Sequence, residues 1–526
     1  MHNFRWPDLI VVLLYMGVLI GIGVYFARRQ TSTERYFVAK RSIPHWAMAF
    51  SFLATLMTSI TFVAYPGSAY AGNWNELVPG FMVIIVLLLT WRVVIPFYRQ
   101  MVQMSAYEYF GKRFGYSVRA YSALGFAIGA FSKMGFVIYL LSLTINTMTG
   151  WSLLPVIMIA GFITIFYTLF GGLEAVVWTE VLQGIVLWVG ALICLAYLLF
   201  LPPGGPAAAF KLAAANHKFD LGSWDFNLNQ KTVWVMLLYG FFWNLQKYTG
   251  DQTVVQRYLI ARSDKEALKG AAAGALMCLP VWTLFMLIGT LVWAYYHLTG
   301  TAAPVQASEA DKVFPQFLIT KIPAGLAGLI MAALFGAGMS SLASDLNCLS
   351  AVGVQDGYAK FYPGSTDRQR LVAGRWMVAV SGVIIILIAT AIALTGERAL
   401  SLYFLVSSIL TGGIAGIFIL AFLSRRANQG GVWVGIITCL LFTAWATFSS
   451  GKNPVFDLGK HNFVLAGVMI GVIGHVLVVV VGYAASFLFP RPDPAMSALT
   501  LWGWLEKDKQ KRGEYSKPQT LAGEVS

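Results

Sequence analysis

Three serine hydroxyls lie close together inside a long apolar segment, at Ser340, Ser341 and Ser344. On a helix these positions occupy adjoining faces, so two or three oxygens point to one place. Oxygen atoms in a dry setting of small residues suit a hard, weakly hydrated cation. Small residues and serine also let membrane helices pack closely, which is their more common role. The cluster is therefore a candidate cation site, and other features of the chain are needed to choose between ion binding and close helix packing.

Charged residues inside other apolar segments are the second group of candidates. Lys133 lies near the middle of such a segment. A lysine at the centre of a bilayer costs about 2.5–3.5 kcal/mol on insertion scales, so we expect it to face a partner or a cavity. Lys247 and Asp251 are four residues apart and could pair on one helix face. For these two residues a structural ion pair and a role in binding substrate both remain open.

The composition places these residues in a membrane. The chain has 526 residues, of which 58% are hydrophobic and 11% charged. Apolar runs of about 20 residues recur along it, which predicts an all-α polytopic membrane protein with about 13 spans. We expect one transmembrane domain over residues 1–490, with its core at about 45–425. A short basic cytoplasmic tail, 491–526, follows.

The net charge of +14 is distributed over alternate loops. By the positive-inside rule this pattern predicts an extracellular N-terminus and a cytoplasmic C-terminus in the plasma membrane. The excess of basic residues then indicates contact with anionic lipid and not with nucleic acid. The expected partners are the bilayer and a small-molecule substrate, without an obligate protein partner. The four cysteines lie in apolar spans and show no metal or disulfide spacing.

Polar residues interrupt two of the predicted spans. Residues 54–61 in the second span are rich in Thr and Ser, and residues 244–252 interrupt the seventh. Irregular backbone at membrane depth is tolerated only around a cavity, and hydroxyl side chains can satisfy it. Two interrupted spans that are five spans apart fit an inverted five-plus-five repeat, the architecture of many transporters. An enzyme would need an assembled polar catalytic set, and a transporter-like sensor would need a signalling domain. Neither is apparent.

Several motifs in this order resemble those of the sodium/solute symporter family. They are residues 34–42, residues 171–183, Asp251-Gln252 with Gln256-Arg257, and residues 340–344. The resemblance runs from about residue 31 to 426. It implies a LeuT-type fold with an extra N-terminal helix and two C-terminal helices. It also implies sodium-driven uptake by alternating access.

The resemblance also implies a sodium site. Carried over by position, its ligands are the carbonyls of Ala54, Met57 and Ala337 and the hydroxyls of Ser340 and Ser341. An interrupted helix offers free carbonyls, and a facing helix offers hydroxyls. Five oxygens without a carboxylate hold a monovalent ion weakly, and such an ion can leave again, as transport requires.

We expect one coupled Na⁺ per substrate. Members of the family that bind a second sodium have an aspartate at the position of Glu180 and a further side-chain oxygen at that of Ala343. This chain has a carboxylate one methylene longer at the first position and no side-chain oxygen at the second. In the predicted span, Glu180 lies near the cytoplasmic end, where water can reach it.

The substrate residues are inferred by resemblance to the sialic acid symporters, which residues 58–62 resemble. In those proteins, hydroxyls on the interrupted helix and an arginine at the position of Lys133 bind a carboxylate. A lysine ammonium cannot bind a carboxylate through two parallel N–H donors as an arginine guanidinium does, so it orients the carboxylate less strictly. We therefore predict a small carboxylate or other organic anion, similar to sialic acid or a monocarboxylate. The predicted substrate-binding residues are Ser59, Thr61, Phe62, Lys133, Lys247 and Asp251.

Sodium-coupled uptake of a sugar, a hexose or inositol, is the alternative. A related lysine occurs in some glucose-type members. Most residues at the hexose-binding positions, however, cannot make the hydrogen bonds that a hexose needs. Those positions are Leu56, Thr61, Gly80, Asp251, Cys278 and Phe404. Residues 135–139 resemble the iodide, vitamin and monocarboxylate branch instead.

Overall fold

The computed structural model describes residues 5–28, 32–302, 306–395, 413–451 and 454–511. Within these residues nine helices are long and apolar enough to cross a membrane, or ten if one bent pair counts as a single span. The predicted all-α polytopic class is confirmed, and the count of thirteen spans stays a prediction. Much of the predicted eleventh span, about 399–422, falls outside the described residues, as do Phe404 and the tail beyond residue 511.

The helices follow one another along the chain with short connections. In the first part they are α1 (Trp6–Ala27), α2 (Thr33–Val38), α3 (His45–Leu56), α4 (Ser59–Ala71), α5 (Val78–Met101), α6 (Tyr107–Phe114), α7 (Tyr116–Thr149), α8 (Leu153–Phe200) and α9 (Gly205–Ala215). In the second part they are α10 (Val233–Gly250), α11 (Gln252–Ile260), α12 (Asp264–Thr299), α13 (Val313–Lys321), α14 (Leu326–Val352), α15 (Ala359–Phe361), α16 (Asp367–Thr395), α17 (Ile414–Leu423), α18 (Gln429–Ser449), α19 (Met469–Ala485) and α20 (Leu501–Lys511).

The second predicted span is broken where its Thr- and Ser-rich stretch lies. Helices α3 and α4 meet at an angle of 57°. Between them Met57 and Thr58 have extended backbone, and Thr58 begins α4 with a capping box that includes Thr61. The hydroxyls therefore satisfy the amides at the start of α4, as the sequence predicts.

The seventh predicted span breaks at one residue, which is a narrower interruption than residues 244–252. Helix α10 continues to Gly250, and Asp251 is extended with φ −92° and ψ 121°. Asn244 does not interrupt the helix because its side-chain amide donates to the carbonyls of Gly240 and Pro79, at 2.8 and 3.1 Å. The Asp251 carboxylate caps α11 by accepting from the Thr253 N–H.

Two further boundaries differ from the spans that the apolar runs predict, which are about 152–170 and 175–201 for the fifth and sixth spans and about 462–489 for the last. The predicted fifth and sixth spans are the two halves of α8, which meet at Gly172 with φ 60° and ψ −169°. Only glycine adopts this backbone conformation readily, so the joint is a sharp kink and not a loop. The last span begins at Met469 and not near residue 462. The Ala466 N–H before it donates to the Leu228 carbonyl, which holds this segment outside the helix.

Helix α14, which carries the serine cluster, is buried along most of its length. Small residues let its neighbours approach closely. A Cβ at Gly328 would lie 2.5 Å from the Cα of Asp8 on α1. In turn, the Asp8 carboxylate accepts from the N–H groups of Gly325 and Gly328 at the first turn of α14. The amino end of α14 is thus fixed against α1.

Lys218, in the loop after α9, caps the carboxyl end of α4. Its ammonium donates to the carbonyls of Tyr70 and Gly72 at 2.8 and 2.9 Å, and lies 4.8 Å from the ring centroid of Trp293. Burial lowers the pKa of Lys218 to about 8. The cap therefore ties the carboxyl end of the broken helix to the long loop between α8 and α10.

We expect Lys218→Met to lower the melting temperature of the purified protein by a few degrees, because buried carbonyls lose their donor. The pKa of this lysine is lower in the folded chain than in the unfolded one, so the unfolded chain binds more protons between about pH 8 and about pH 10.4. The stability of the wild type should therefore rise relative to the variant across this window. Lys211→Met, in the exposed part of α9, is the control. A gap in melting temperature that shrinks as the pH rises would contradict this.

Candidate ion and substrate site

The oxygens predicted to hold sodium lie together between α3 and α14. The Ser340 hydroxyl lies 3.1 Å from the Ala54 carbonyl oxygen and 3.0 Å from that of Ala337. The Ser341 hydroxyl lies 3.0 Å from the carbonyl oxygen of Met57. All five residues are buried. The structure thus brings together the whole predicted set, although no carboxylate is among these oxygens.

The break after α3 makes its carbonyls available. In an uninterrupted helix the Ala54 carbonyl would accept from the N–H of Thr58, but that N–H points to the Thr61 hydroxyl at 3.4 Å. The Thr61 N–H donates to the Thr58 carbonyl and leaves that of Met57 free. Serine hydroxyls on α14 satisfy both carbonyls. If both hydroxyls turned their lone pairs inward, five neighbouring oxygens would be available as ligands, a set that fits a monovalent hard cation.

A fully buried ion pair lies one helical turn from these oxygens. Glu180 on α8 and Arg257 on α11 are 2.8 Å apart, and both side chains are 0% exposed. Ser51 on α3 and Ser344 on α14 hydrogen-bond to both members of the pair. Four helices therefore meet at one charge pair.

The expectation that water reaches Glu180 is wrong. Its carboxylate accepts from the hydroxyls of Ser51, Thr55 and Ser344 and from the guanidinium of Arg257. The predicted span placed Glu180 near an end, but the kink in α8 and the packing of α3, α11 and α14 enclose it. Ser344, which the sequence placed in the candidate cation cluster, makes its contacts here instead.

The predicted substrate residues fall into two groups. Ser59, Thr61 and Phe62 lie on the first turn of α4. The Ser59 hydroxyl donates to the Val137 carbonyl of α7 at 3.0 Å. The Phe62 ring packs against that of Phe285, with centroids 4.3 Å apart. This group joins α4 to α7 and α12, and Phe62 is fully buried in that contact.

The second group, Lys133, Lys247 and Asp251, lines a cavity of about 40 Å³ between α7, α10 and α14. Lys247 pairs with Asp251 at 2.6 Å, as their spacing predicts. Trp243 and Tyr107 lie along the same cavity.

Asp345 is a site residue that the sequence analysis missed. Its carboxylate is 1% exposed and lies 2.6 Å from the Lys133 ammonium. It also lines the cavity. A carboxylate inside an apolar span, four residues beyond Ser341, was a signal for a functional position. Which of the buried acids Lys133 faces depends on how α7 and α14 are aligned, and local sequence does not specify that.

Comparison with known proteins agrees with this architecture. The sequence model of the Sodium:solute symporter family matches residues 36–439. The sodium/sialic acid symporter NanT of Aliivibrio fischeri is 31% identical over 93% of this chain and 94% of its own length. The sodium/sialic acid symporter SiaT of Proteus mirabilis is 30% identical over 89% and 95%. The sodium/glucose cotransporter of Vibrio parahaemolyticus is 27% identical over 89% and 90%.

Solved structures extend the likeness to the fold. A substrate-bound, outward-open sodium-coupled sialic acid symporter with a novel Na⁺ site superposes with a TM-score of 0.84 at 29% identity, over 94% of this chain and all of that one. Mhp1, a nucleobase-cation-symport-1 family transporter, superposes with a TM-score of 0.56 at 15% identity, over 88% and 97%, which shows the fold alone. The predicted LeuT-type fold is confirmed. The chain belongs to the sodium:solute symporter family, whose members are membrane transporters.

Removing one member of the Glu180–Arg257 pair should destabilise this region strongly. We expect Glu180→Gln and Arg257→Met each to destabilise the protein by about 3–5 kcal/mol, because each leaves one buried charge unpaired. The double variant should recover part of this loss. Thermal unfolding of the purified protein measures the effect. The exposed pair Arg425–Glu506 supplies the control, for which Arg425→Gln should cost about 1 kcal/mol or less. Single variants as stable as the wild type would contradict this role.

Proposed function

We propose that this protein is a sodium-coupled symporter that imports a small carboxylate by alternating access. The observation that carries this proposal is the convergence of the Ala54, Met57 and Ala337 carbonyls with the Ser340 and Ser341 hydroxyls at a break in a membrane helix. Such a site uses groups that a packed helix does not offer, and it binds a cation reversibly.

The carboxylate class is supported by two observations. The chain is similar over most of its length to sodium/sialic acid symporters, and Lys133 lines the small cavity between α7, α10 and α14. The hydroxyl-rich first turn of α4 contacts α7 one helical turn beyond Lys133, so the two predicted groups of substrate residues are joined through α7. A rearrangement that separates α4, α7 and α10 would open a single pocket between them.

The orientation is part of the proposal. We assign the basic ends of α1, α5 and α11 and the start of α16 to the cytoplasmic side of a plasma membrane. Lys218 and the long loop before α10 then lie outside, and residues 1–490 form a single transmembrane domain.

We expect Ser340→Ala and Ser341→Ala each to raise the sodium concentration for half-maximal uptake at least about tenfold, because the site loses a side-chain oxygen that its neighbours cannot replace. Uptake into proteoliposomes at varied sodium measures this. Ser350→Ala, which removes a buried hydroxyl elsewhere on α14, is the matched control and should leave the sodium requirement unchanged. Uptake that is equally fast in potassium or choline medium would overturn the proposal.

We expect one sodium ion to enter with each substrate molecule. In this chain the Glu180 and Ser344 oxygens contact the Arg257 guanidinium, a fixed positive charge, and Ala343 adds no side-chain oxygen. A second cation would have to displace that guanidinium from a fully buried pair. The Hill coefficient for sodium should therefore be near one, and so should the ratio of labelled sodium to labelled substrate taken up. A flux ratio near two would show a second coupled ion.

A further inference from the structure

The cavity between α7, α10 and α14 is lined by as many acids as bases. Lys133 and Lys247 contribute two positive charges, and Asp251 and Asp345 contribute two negative charges. Lys133 pairs with Asp345, and Lys247 pairs with Asp251, each at 2.6 Å. Electrically, this cavity is balanced before any solute enters it.

The two pairs differ in what else they do. The Asp251 carboxylate accepts from the N–H and hydroxyl of Thr253 and so caps α11. Within the described part of the chain, Asp345 has no hydrogen-bond partner besides Lys133. The Lys247–Asp251 pair thus maintains the helix break, whereas the Lys133–Asp345 pair is available for exchange with a ligand.

A simple anion that binds Lys133 would leave the buried carboxylate of Asp345 unpaired. It would take the ammonium from Asp345, whose side chain is 1% exposed. An uncompensated buried carboxylate is strongly unfavourable, and much of the binding energy would be lost to it. A ligand that also carries an ammonium group avoids this cost, because it gives Asp345 a new partner.

We infer that the substrate is a zwitterion, a small solute whose carboxylate pairs with Lys133 and whose ammonium pairs with Asp345. Each charge in the cavity is then matched by charge-assisted hydrogen bonds both with and without the substrate. This inference rests on the proposed function and narrows its substrate class, from carboxylates in general to amino carboxylic acids. Asp345 is the residue that determines this specificity.

The Lys133–Asp345 pair also keeps the pocket closed when no substrate is bound. The cavity leaves little free space, about 40 Å³, and the Lys133–Asp345 contact joins α7 directly to α14. A zwitterion that enters must separate these two side chains. Its carboxylate then replaces that of Asp345 beside Lys133, and its ammonium replaces that of Lys133 beside Asp345. The ligand thereby exchanges partners with the protein and buries no additional charge.

The test uses the full-length protein and matched ligands. Thermal stability is measured in sodium chloride and in choline chloride with each protein amino acid in turn, with the corresponding 2-hydroxy acids, such as lactate and phenyllactate, and with the corresponding amines. N-acetylneuraminate and glucose are included as the anionic and neutral probes. At least one amino acid should stabilise the protein in sodium. Its 2-hydroxy acid and its amine should each bind about 100-fold more weakly, because each leaves one buried charge unpaired.

Variants of the pair should change this selectivity in a defined way. Asp345→Asn should weaken binding of the amino acid about 100-fold and strengthen binding of its 2-hydroxy acid, because no carboxylate is then left unpaired. The double variant Lys133→Gln/Asp345→Asn should lose the preference for charged ligands. Asp264→Asn makes the same chemical change at a half-exposed pair with Arg99 and should leave selectivity unchanged. Stabilisation by sodium alone reports that the variants are folded with an intact ion site.

The outcomes separate this inference from the proposed function. If N-acetylneuraminate or a 2-hydroxy acid stabilises the wild type and no amino acid does, the zwitterion is excluded while carboxylate symport stands. If glucose alone does so, both fail. Failure of every amino acid overturns the inference in any case. An Asp345→Asn protein with the selectivity of the wild type would likewise overturn it, because the ion pair would then be purely structural.

Discussion

A helix that breaks inside a bilayer must satisfy every backbone group it releases, and this constraint organises the centre of the protein. The break between α3 and α4 frees the carbonyls of Ala54 and Met57, and Ser340 and Ser341 on α14 donate to them. These four groups, with the Ala337 carbonyl, are the predicted ion ligands. Ion binding therefore requires no new groups at the site: a hydroxyl either donates to a carbonyl or turns a lone pair to the cation.

The buried Glu180–Arg257 pair fixes the elements that carry these oxygens. Ser51 lies on α3, one turn before Ala54, and Ser344 lies on α14, one turn after Ser340, and both contact the pair. Movement of α3 away from α14 would therefore disturb the charge pair as well as the ion ligands. In energetic terms the pair contributes specificity more than net stability, because burying two charges costs nearly what their attraction returns. Its value lies in holding one arrangement of four helices.

The sequence specified the features that depend on local chemistry. The hydroxyl-rich stretch after Leu56 predicted the helix break, and the small residues of α14 indicated close packing against other helices. The features that it missed depend on contacts between distant segments. Arg257 reaches Glu180 only because α10 ends at Asp251, and Lys133 faces Asp345 only through the alignment of α7 with α14. Neither alignment leaves a periodic pattern in the sequence. The roles of these residues in binding remain predictions, whereas their positions are features of the fold.

The balanced charges around the small cavity have a consequence for how voltage acts on the transport cycle. A pocket with two lysines and two aspartates carries no net charge when it is empty, and a zwitterion does not change that sum. Reorientation without sodium then moves no net charge through the membrane field, and the potential acts on the sodium ion alone. Each elementary charge that crosses the whole field contributes about 2.3 kcal/mol per 100 mV. The membrane potential would thus drive the loaded step inward without impeding the empty return.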